Sequence, residues 1–190
     1  MKPTSHVVNA VAYLRPLAMF ALAILVVLSV ARLGLVLWQL DRVLAAHMLR
    51  AVFIEGLRFD LVVIGFLLAV PSLLLVPFAT TSVMARHGNR LLRAYFTATF
   101  IGVVFLELAT PSFINQYDAR PNELFLEYLV YPKEVASTLL AGYSYQLIGA
   151  LLVIALATLG LRRVLSRSLK LPQRPMHLLA AVMLTPALLI

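Results

Sequence analysis

The stretch LAMFALAILVVLSVARLGLVLWQL, residues 17–40, decides the fold class. Its residues are apolar except for Ser29, Arg32 and Gln39. About 20 apolar residues in a helix cross the hydrocarbon core of a bilayer, because each residue rises about 1.5 Å. The stretch is longer than the apolar part of a signal peptide and lacks a small-residue cleavage site before a polar segment. It therefore predicts an uncleaved transmembrane helix.

Four further apolar runs follow, at 61–78, 94–110, 145–161 and 176–190. In the whole chain 62% of the residues are hydrophobic and 13% are charged, and the mean hydropathy is +0.95. These values lie outside the usual range of a soluble domain. We therefore predict an all-α membrane protein with five transmembrane helices. The last run stops at its final residue without a polar or aromatic anchor, which indicates a fragment of a longer protein.

Lysine and arginine residues gather in alternate connections between these runs, and this pattern predicts the orientation. Ten of them flank the first span and lie in the second and fourth connections, against five in the first and third connections. The first set comprises Lys2, Arg15, Arg86, Arg90, Arg93, Arg162, Arg163, Arg167, Lys170 and Arg174, and the second comprises Arg42, Arg50, Arg58, Arg120 and Lys133. The positive-inside rule places the first set, and the N-terminus, in the cytoplasm and the C-terminal end outside. The same rule accounts for the net charge of +8, and no basic-aromatic pattern of nucleic-acid recognition accompanies it.

Both outer connections carry amphipathic patterns that predict short surface helices. In the first connection, apolar residues recur at roughly helical spacing from Val43 to Ile54, which predicts one helix lying on the outer leaflet. In the second outer connection, which follows the third span, Pro111 is expected to end that span. One helix is then expected after Asn122 and another from Pro132, with Gly142 as a C-cap.

Charged residues also lie in or beside the apolar runs. Arg58 and Asp60 stand at the mouth of the second span, either as a local ion pair or as an anion or head-group contact. Arg32 lies inside the first span, where it either snorkels to the interface near Trp38 or pairs with an acid such as Glu107 on a neighbouring helix.

Catalytic patterns are missing from the sequence. It has no cysteine, and its four histidines are scattered without the spacing of a zinc site. It has neither a G-x-S-x-G motif nor a phosphate-binding glycine loop. Glu123 and Glu127 are spaced i,i+4, as on an ordinary solvated helix face. No catalytic or metal-binding residue is therefore predicted in this chain.

Two motifs carry a family resemblance. The stretch GLRFDLVVIGFLL, residues 56–68, and the stretch YDARPNELFLEYLVYPKEVASTLLAGY, residues 117–143, resemble the N-terminal membrane domain of the lipoteichoic acid synthase family. This family includes the Gram-negative phosphoglycerol transferases of the alkaline phosphatase and sulfatase superfamily. The five-span layout agrees with it along the whole chain.

The resemblance implies a membrane anchor followed, after residue 190, by a linker and a catalytic extracytoplasmic domain of α/β class. In the family that domain binds a divalent metal, commonly manganese, and carries a threonine nucleophile. The threonine takes glycerol phosphate from phosphatidylglycerol and passes it to a polymer or a glucan. The implied role of these 190 residues is that of a non-catalytic anchor and substrate-presenting platform in the bacterial cytoplasmic (inner) membrane.

The matched motif positions become candidates for docking the catalytic domain or for holding a lipid head group. They are Arg58, Asp60, Tyr117, Asp118, Arg120, Asn122, Glu127, Tyr128, Tyr131, Lys133, Glu134 and Tyr143, with Pro132 and Gly142 as matching backbone positions. Arg58, Arg120 and Lys133 are the expected phosphate contacts, because an anionic head group needs cationic donors. The expected partners are the lipid bilayer, phosphatidylglycerol and the chain's own extracytoplasmic domain. No nucleic-acid partner is expected.

Two alternatives stay open. Related membrane domains also accompany sulfatase-like and phosphoethanolamine-type chemistry, so the transferred group is not decided. A non-enzymatic polytopic protein, either a transporter component or an envelope assembly factor, is the second class. A transporter would be expected to carry buried charges in several spans or an inverted repeat.

Overall fold

The structure, a computed structural model, describes residues 4–78 and 82–168. Side chains are described for 15–73 and 86–166, except at 124, 126, 128, 129, 132, 138 and 139. The described residues form helices and no strand. The helices are α1 (Thr4–Trp38), α2 (Leu40–Ala45), α3 (Leu49–Phe78), α4 (Ser82–Tyr117), α5 (Glu123–Val130), α6 (Pro132–Gly142) and α7 (Ser144–Ser168). The prediction of an all-α chain is confirmed for this part of the protein.

Three described helices are long and apolar enough to cross a membrane. They are Arg15–Trp38 within α1, Arg86–Tyr117 within α4 and Ser144–Ser166 within α7, and they coincide with the first, third and fourth predicted spans. The second predicted span, 61–78, lies inside α3, which is not among the three. The fifth, 176–190, lies outside the described residues. The total of five spans therefore stays a prediction.

The described chain falls into two compact units. The first contains residues 4–78, 82–99 and 161–168, and the second is Phe100–Gly160. In the first unit, α1 buries one stripe along its length, formed by Leu17, Phe20, Ile24, Leu28 and Val36. This spacing keeps one face of a helix toward its neighbours. Phe20 stacks on Phe96 of α4 with the ring centroids 4.3 Å apart.

A proline inside α3 is compensated by a side chain of α4. Pro71 has no N–H, so the carbonyl of Leu67, one turn earlier, lacks its usual helical donor. The hydroxyl of Tyr95 donates a hydrogen bond to this carbonyl at 2.8 Å. Interior prolines are tolerated in membrane helices when a neighbouring helix satisfies the freed group in this way. The bond thus completes α3 and connects it to α4.

The surface helix predicted between Val43 and Ile54 is wrong, because the chain turns at His47. His47 has a φ of 54°, and the N–H of Met48 bonds to the carbonyl of Val43 while that of His47 bonds to Leu44. These two bonds form a Schellman motif, which ends α2. The chain then enters α3 at Leu49, so the second half of the predicted surface helix is continuous with α3.

Pro111 does not close the third helix as predicted. α4 continues through it to Tyr117 and ends where Asp118 adopts a φ of 51°. The N–H of Asp118 bonds to the carbonyl of Ile114 at 2.8 Å, which is the pattern of a helix ended by a left-handed residue. An interior proline removes one helical bond and does not by itself stop a membrane helix. The helix α4 therefore ends at Asp118 and not at Pro111.

The two short helices predicted around Pro132 are confirmed as α5 and α6. Phe125 of α5 fixes this segment to α4, with ring centroids 6.0 Å from Phe105 and 6.1 Å from Phe113. Gly142 is the last residue of α6, but no described glycine has a positive φ, so Gly142 is not a left-handed cap. We call residues 117–143 the platform.

Candidate functional site

A buried ion pair joins α1 to α3 in the first unit. Nη2 of Arg32 bonds to Oδ2 of Asp60, and the two side chains are 9% and 8% exposed. Arg32 occupies the next position of the buried α1 stripe after Leu28. The alternative in which Arg32 pairs with an acid on a neighbouring helix is confirmed, but the acid is Asp60 instead of Glu107, and the snorkelling alternative is wrong. The Arg32 side chain points into the unit and contacts the carboxylate of Asp60 on α3.

Gly56 makes room for the arginine of this pair. A Cβ atom at this position would lie 2.5 Å from Nε and 2.6 Å from Cζ of Arg32, closer than such atoms approach. The guanidinium therefore lies directly against the backbone of α3. Gly56 and Asp60 are four residues apart and share one helix face. Together they form a seat for Arg32, which we call the arginine seat.

The burial of the arginine seat decides its energetics. Removing one partner of a buried ion pair leaves an uncompensated charge and typically costs about 3–5 kcal/mol. Replacing both partners by apolar side chains is often neutral or stabilising. In this structure the carboxylate of Asp60 is occupied and shielded. The pair thus acts within the fold, between α1 and α3.

Arg58 does not pair with Asp60, in contrast to the local pair considered from the sequence. Its Nη1 lies 2.9 Å from Oε2 of Glu55, and the two side chains are 74% and 54% exposed. Residues two apart on a helix point to different sides, whereas residues three apart are neighbours. An exposed pair of this kind contributes about 0–1 kcal/mol. The guanidinium of Arg58 therefore stays accessible.

A second, more open pair lies in the second unit. Nη1 of Arg120 is 3.9 Å from Oε1 of Glu107, at the long end of ion-pair distances. The Glu107 side chain is 14% exposed, whereas that of Arg120 is 54% exposed. Arg120 follows the left-handed turn at Asp118, which directs the chain away from the end of α4. Half of the Arg120 side chain is thus open to a ligand.

The other platform candidates lie at helix starts and on exposed faces. The backbone carbonyls of Asn122, Tyr131 and Tyr143 accept bonds from the first turns of α5, α6 and α7. The side chains at Glu127, Tyr131, Lys133, Glu134 and Tyr143 are exposed, and Tyr117 packs on Phe113 with centroids 4.7 Å apart. The side chain of Tyr128 lies outside the described part of the structure.

The candidates are divided between the two units. Arg58 and Asp60 belong to the first unit, and all the others belong to the second. Among the described residues, no three His, Asp or Glu side chains lie close enough together to hold a metal ion. The described residues are helical, and three of their helices are long and apolar enough to cross a membrane. One unit contains a buried ion pair, and the other contains an exposed, charged platform.

Comparison with known proteins adds no assignment, because no model of a protein family and no solved structure matches the chain.

Sequence reasoning missed the arginine seat, although its signal was present. The chain has a lone arginine in an apolar run and, just before the next run, a glycine four residues ahead of an aspartate. A buried arginine needs a carboxylate, and a large planar group against a helix backbone needs a residue without a side chain. Those two requirements together point to Arg32, Gly56 and Asp60.

Proposed function

We propose that this chain is the membrane anchor and substrate-presenting platform of a phosphoglycerol-transferase-like enzyme. The observation that carries the proposal is the pair of short helices α5 and α6, in which the motif residues Glu127 and Lys133 are exposed, as is Tyr131 between the helices. Phe125 holds α5 on α4, so the charged side chains are displayed on an anchored element. An anchored and charged surface suits docking of a domain or of a lipid head group.

The chemistry of the platform supports a phospholipid ligand. Lys133 and Arg120 provide exposed cations, and an arginine fork matches the oxygens of a phosphate. The side chains of Tyr131, Tyr143 and Tyr145 are 63%, 48% and 88% exposed. Exposed tyrosines are typical of the membrane–water interface, where one part of the ring is apolar and the hydroxyl is hydrated. Phosphatidylglycerol has a phosphate that the cations can bind, and this phosphate lies at the membrane–water interface that suits the tyrosines.

The reaction itself is proposed for an extracytoplasmic domain that follows these residues in the full-length protein. Its metal ion and threonine nucleophile would cleave the phosphodiester of phosphatidylglycerol, so that glycerol phosphate is first bound to the threonine and then transferred. The residues of the present chain would hold the head group and the domain at the membrane surface. The platform is proposed to lie outside the cytoplasm, where that domain would reach it.

The proposal is tested with the native gene product in membranes. Intact-mass analysis asks whether the chain continues beyond residue 190, and turnover is followed as release of diacylglycerol from labelled phosphatidylglycerol. We expect the variant R58Q/R120Q/K133Q to lose turnover by about tenfold or more, because charge-assisted hydrogen bonds contribute about 1.5–3 kcal/mol each. The matched control R42Q/R50Q removes exposed arginines outside the candidate set.

Unchanged turnover in R58Q/R120Q/K133Q would overturn the head-group role of these residues. A native product that releases no diacylglycerol from phosphatidylglycerol would overturn the proposed enzyme class and favour a transporter component or an envelope assembly factor. The thermal stability of each variant, measured beside the turnover, separates loss of function from loss of fold.

A further inference from the structure

The first unit carries a second charged surface, which the proposed function does not use. Nine of its described arginine side chains are exposed, and we call the six that lie outside α2 and α3 the arginine belt. They are Arg15, Arg86, Arg90, Arg93, Arg162 and Arg163. The acidic residues in this unit are Asp41, Glu55 and Asp60, which lie in α2 and in the first half of α3. The belt is therefore a surface of one sign.

Helix directions place the belt arginines of α1 and α4 at one end of the unit. α3 runs from the arginine seat to Phe78 and α4 returns from Ser82, so α4 runs in the same direction as α1. Phe20 of α1 stacks on Phe96 of α4, which puts these two positions at one level. Arg15 precedes the first by five residues, and Arg93 precedes the second by three. At about 1.5 Å per residue, their Cα atoms lie within roughly 3 Å of the same level.

The three arginines of α4 share one face. Arg86, Arg90 and Arg93 are spaced i, i+4 and i+7, so they point to one side of the helix. Leu92 and Phe96 are buried on another side, against the core of the unit. The burial of these two residues fixes the rotation of the helix. The arginine face is consequently held outward by the packing of α4.

The belt also coincides with the ends of the apolar segments. Arg15 lies two residues before the apolar run 17–40, Arg93 directly precedes the run 94–110, and Arg162 directly follows the run 145–161. Residues at the ends of such segments lie at the level of the lipid head groups. Head-group phosphates are anions that lie at that level of a bilayer. Basic clusters at helix ends attract anionic lipids with about 1 kcal/mol per residue.

We propose that the arginine belt binds the head groups of anionic phospholipids and retains these lipids on the protein. The phosphate oxygens accept hydrogen bonds from the guanidinium groups of α1, α4 and α7, while the acyl chains lie along the exposed apolar faces. Leu22, Val26 and Val30 form such a face on α1, and each is more than half exposed. The belt shares no residue with the platform, and the proposal does not depend on the proposed enzymatic function.

The test is native mass spectrometry of the full chain released from nanodiscs that contain equal amounts of phosphatidylglycerol and phosphatidylcholine. The wild-type protein is expected to retain phosphatidylglycerol selectively. The variant R86Q/R90Q is expected to lose about 25-fold in apparent affinity, at about fivefold per arginine. Both positions are exposed, so folding is expected to be unaffected, and a thermal unfolding midpoint equal to that of the wild type checks this.

The matched control is R42Q/R50Q, which removes two exposed arginines of the same unit that lie in α2 and at the start of α3, the helices that carry the acidic residues of the unit. It is expected to retain phosphatidylglycerol as the wild type does. Equal retention of the two lipids by the wild type would overturn the proposal. An equal loss in both double variants would also overturn it, because net charge rather than the belt would then govern retention.

Discussion

The chain uses the same chemical pair, an arginine with a carboxylate, in two different environments. Arg32 and Asp60 are less than a tenth exposed and touch directly, with Gly56 leaving room for the guanidinium. Arg120 and Glu107 are 3.9 Å apart, and the arginine is half exposed. Burial therefore separates a pair that holds two helices together from a pair whose arginine remains accessible.

This difference assigns the two pairs different tasks. A buried charge is costly unless it is paired, so the arginine seat constrains how α1 and α3 meet. The Arg120–Glu107 pair is long and its arginine is half exposed, so it contributes less to stability, and the arginine can exchange its partner for a ligand. The GLRFD motif accordingly divides between the two roles: Gly56 and Asp60 face inward, and Arg58 faces outward.

The largest effect is expected from Asp60→Ala, which would leave Arg32 buried without its carboxylate. We expect a loss of about 3–5 kcal/mol in the free energy of unfolding, measured by denaturant titration in detergent micelles. The control is R32L/D60L, in which no charge remains and most of the stability should return. A double variant as unstable as Asp60→Ala would contradict the account.

Gly56→Ala is expected to cost about 1–3 kcal/mol in the same titration, because the new methyl group would overlap the Arg32 guanidinium. Gly34→Ala is the matched control, since a Cβ at that helical position would meet no atom within 4 Å. It should be neutral or stabilise by up to about 1 kcal/mol. Equal effects of the two substitutions would show that the arginine does not occupy its seat.

Tyr95→Phe tests an uncharged contact of the same unit. It removes the hydroxyl that bonds to the Leu67 carbonyl and should cost about 1 kcal/mol. In a Pro71→Ala background the alanine N–H can bond to that carbonyl, so the same substitution should cost clearly less. Identical costs in both backgrounds would mean that the tyrosine does not replace the missing proline donor.

The smallest effect on stability is expected at the exposed pair. Arg120→Gln should cost less than about 1 kcal/mol in the free energy of unfolding, because half of the side chain is hydrated and the pair is long. The same variant should lower phosphatidylglycerol turnover if the proposed function holds. A stability loss as large as that of Asp60→Ala would place Arg120 with the buried pair instead.

Local patterns predicted much of this architecture. The apolar runs of α1, α4 and α7 predicted helices, and Pro132 predicted the start of α6, because each signal lies within a few neighbouring residues. The partner of Arg32 was not predicted, since residues 32 and 60 meet only when two helices pack in one register. The turn at His47 was missed because histidine is a rare left-handed residue at a helix end, where glycine is usual. The prediction that Pro111 ends the helix was wrong because the effect of an interior proline on a helix depends on the surrounding helices.

The most direct test of the account compares lipid turnover in two variants of the full-length native protein. R32L/D60L removes the buried pair, and R120Q/K133Q removes the exposed platform cations. If the proposed function holds, R32L/D60L retains the release of diacylglycerol from phosphatidylglycerol, while R120Q/K133Q lowers it by about tenfold or more at unchanged stability. Normal turnover in R120Q/K133Q together with lost turnover in a stably folded R32L/D60L would contradict it.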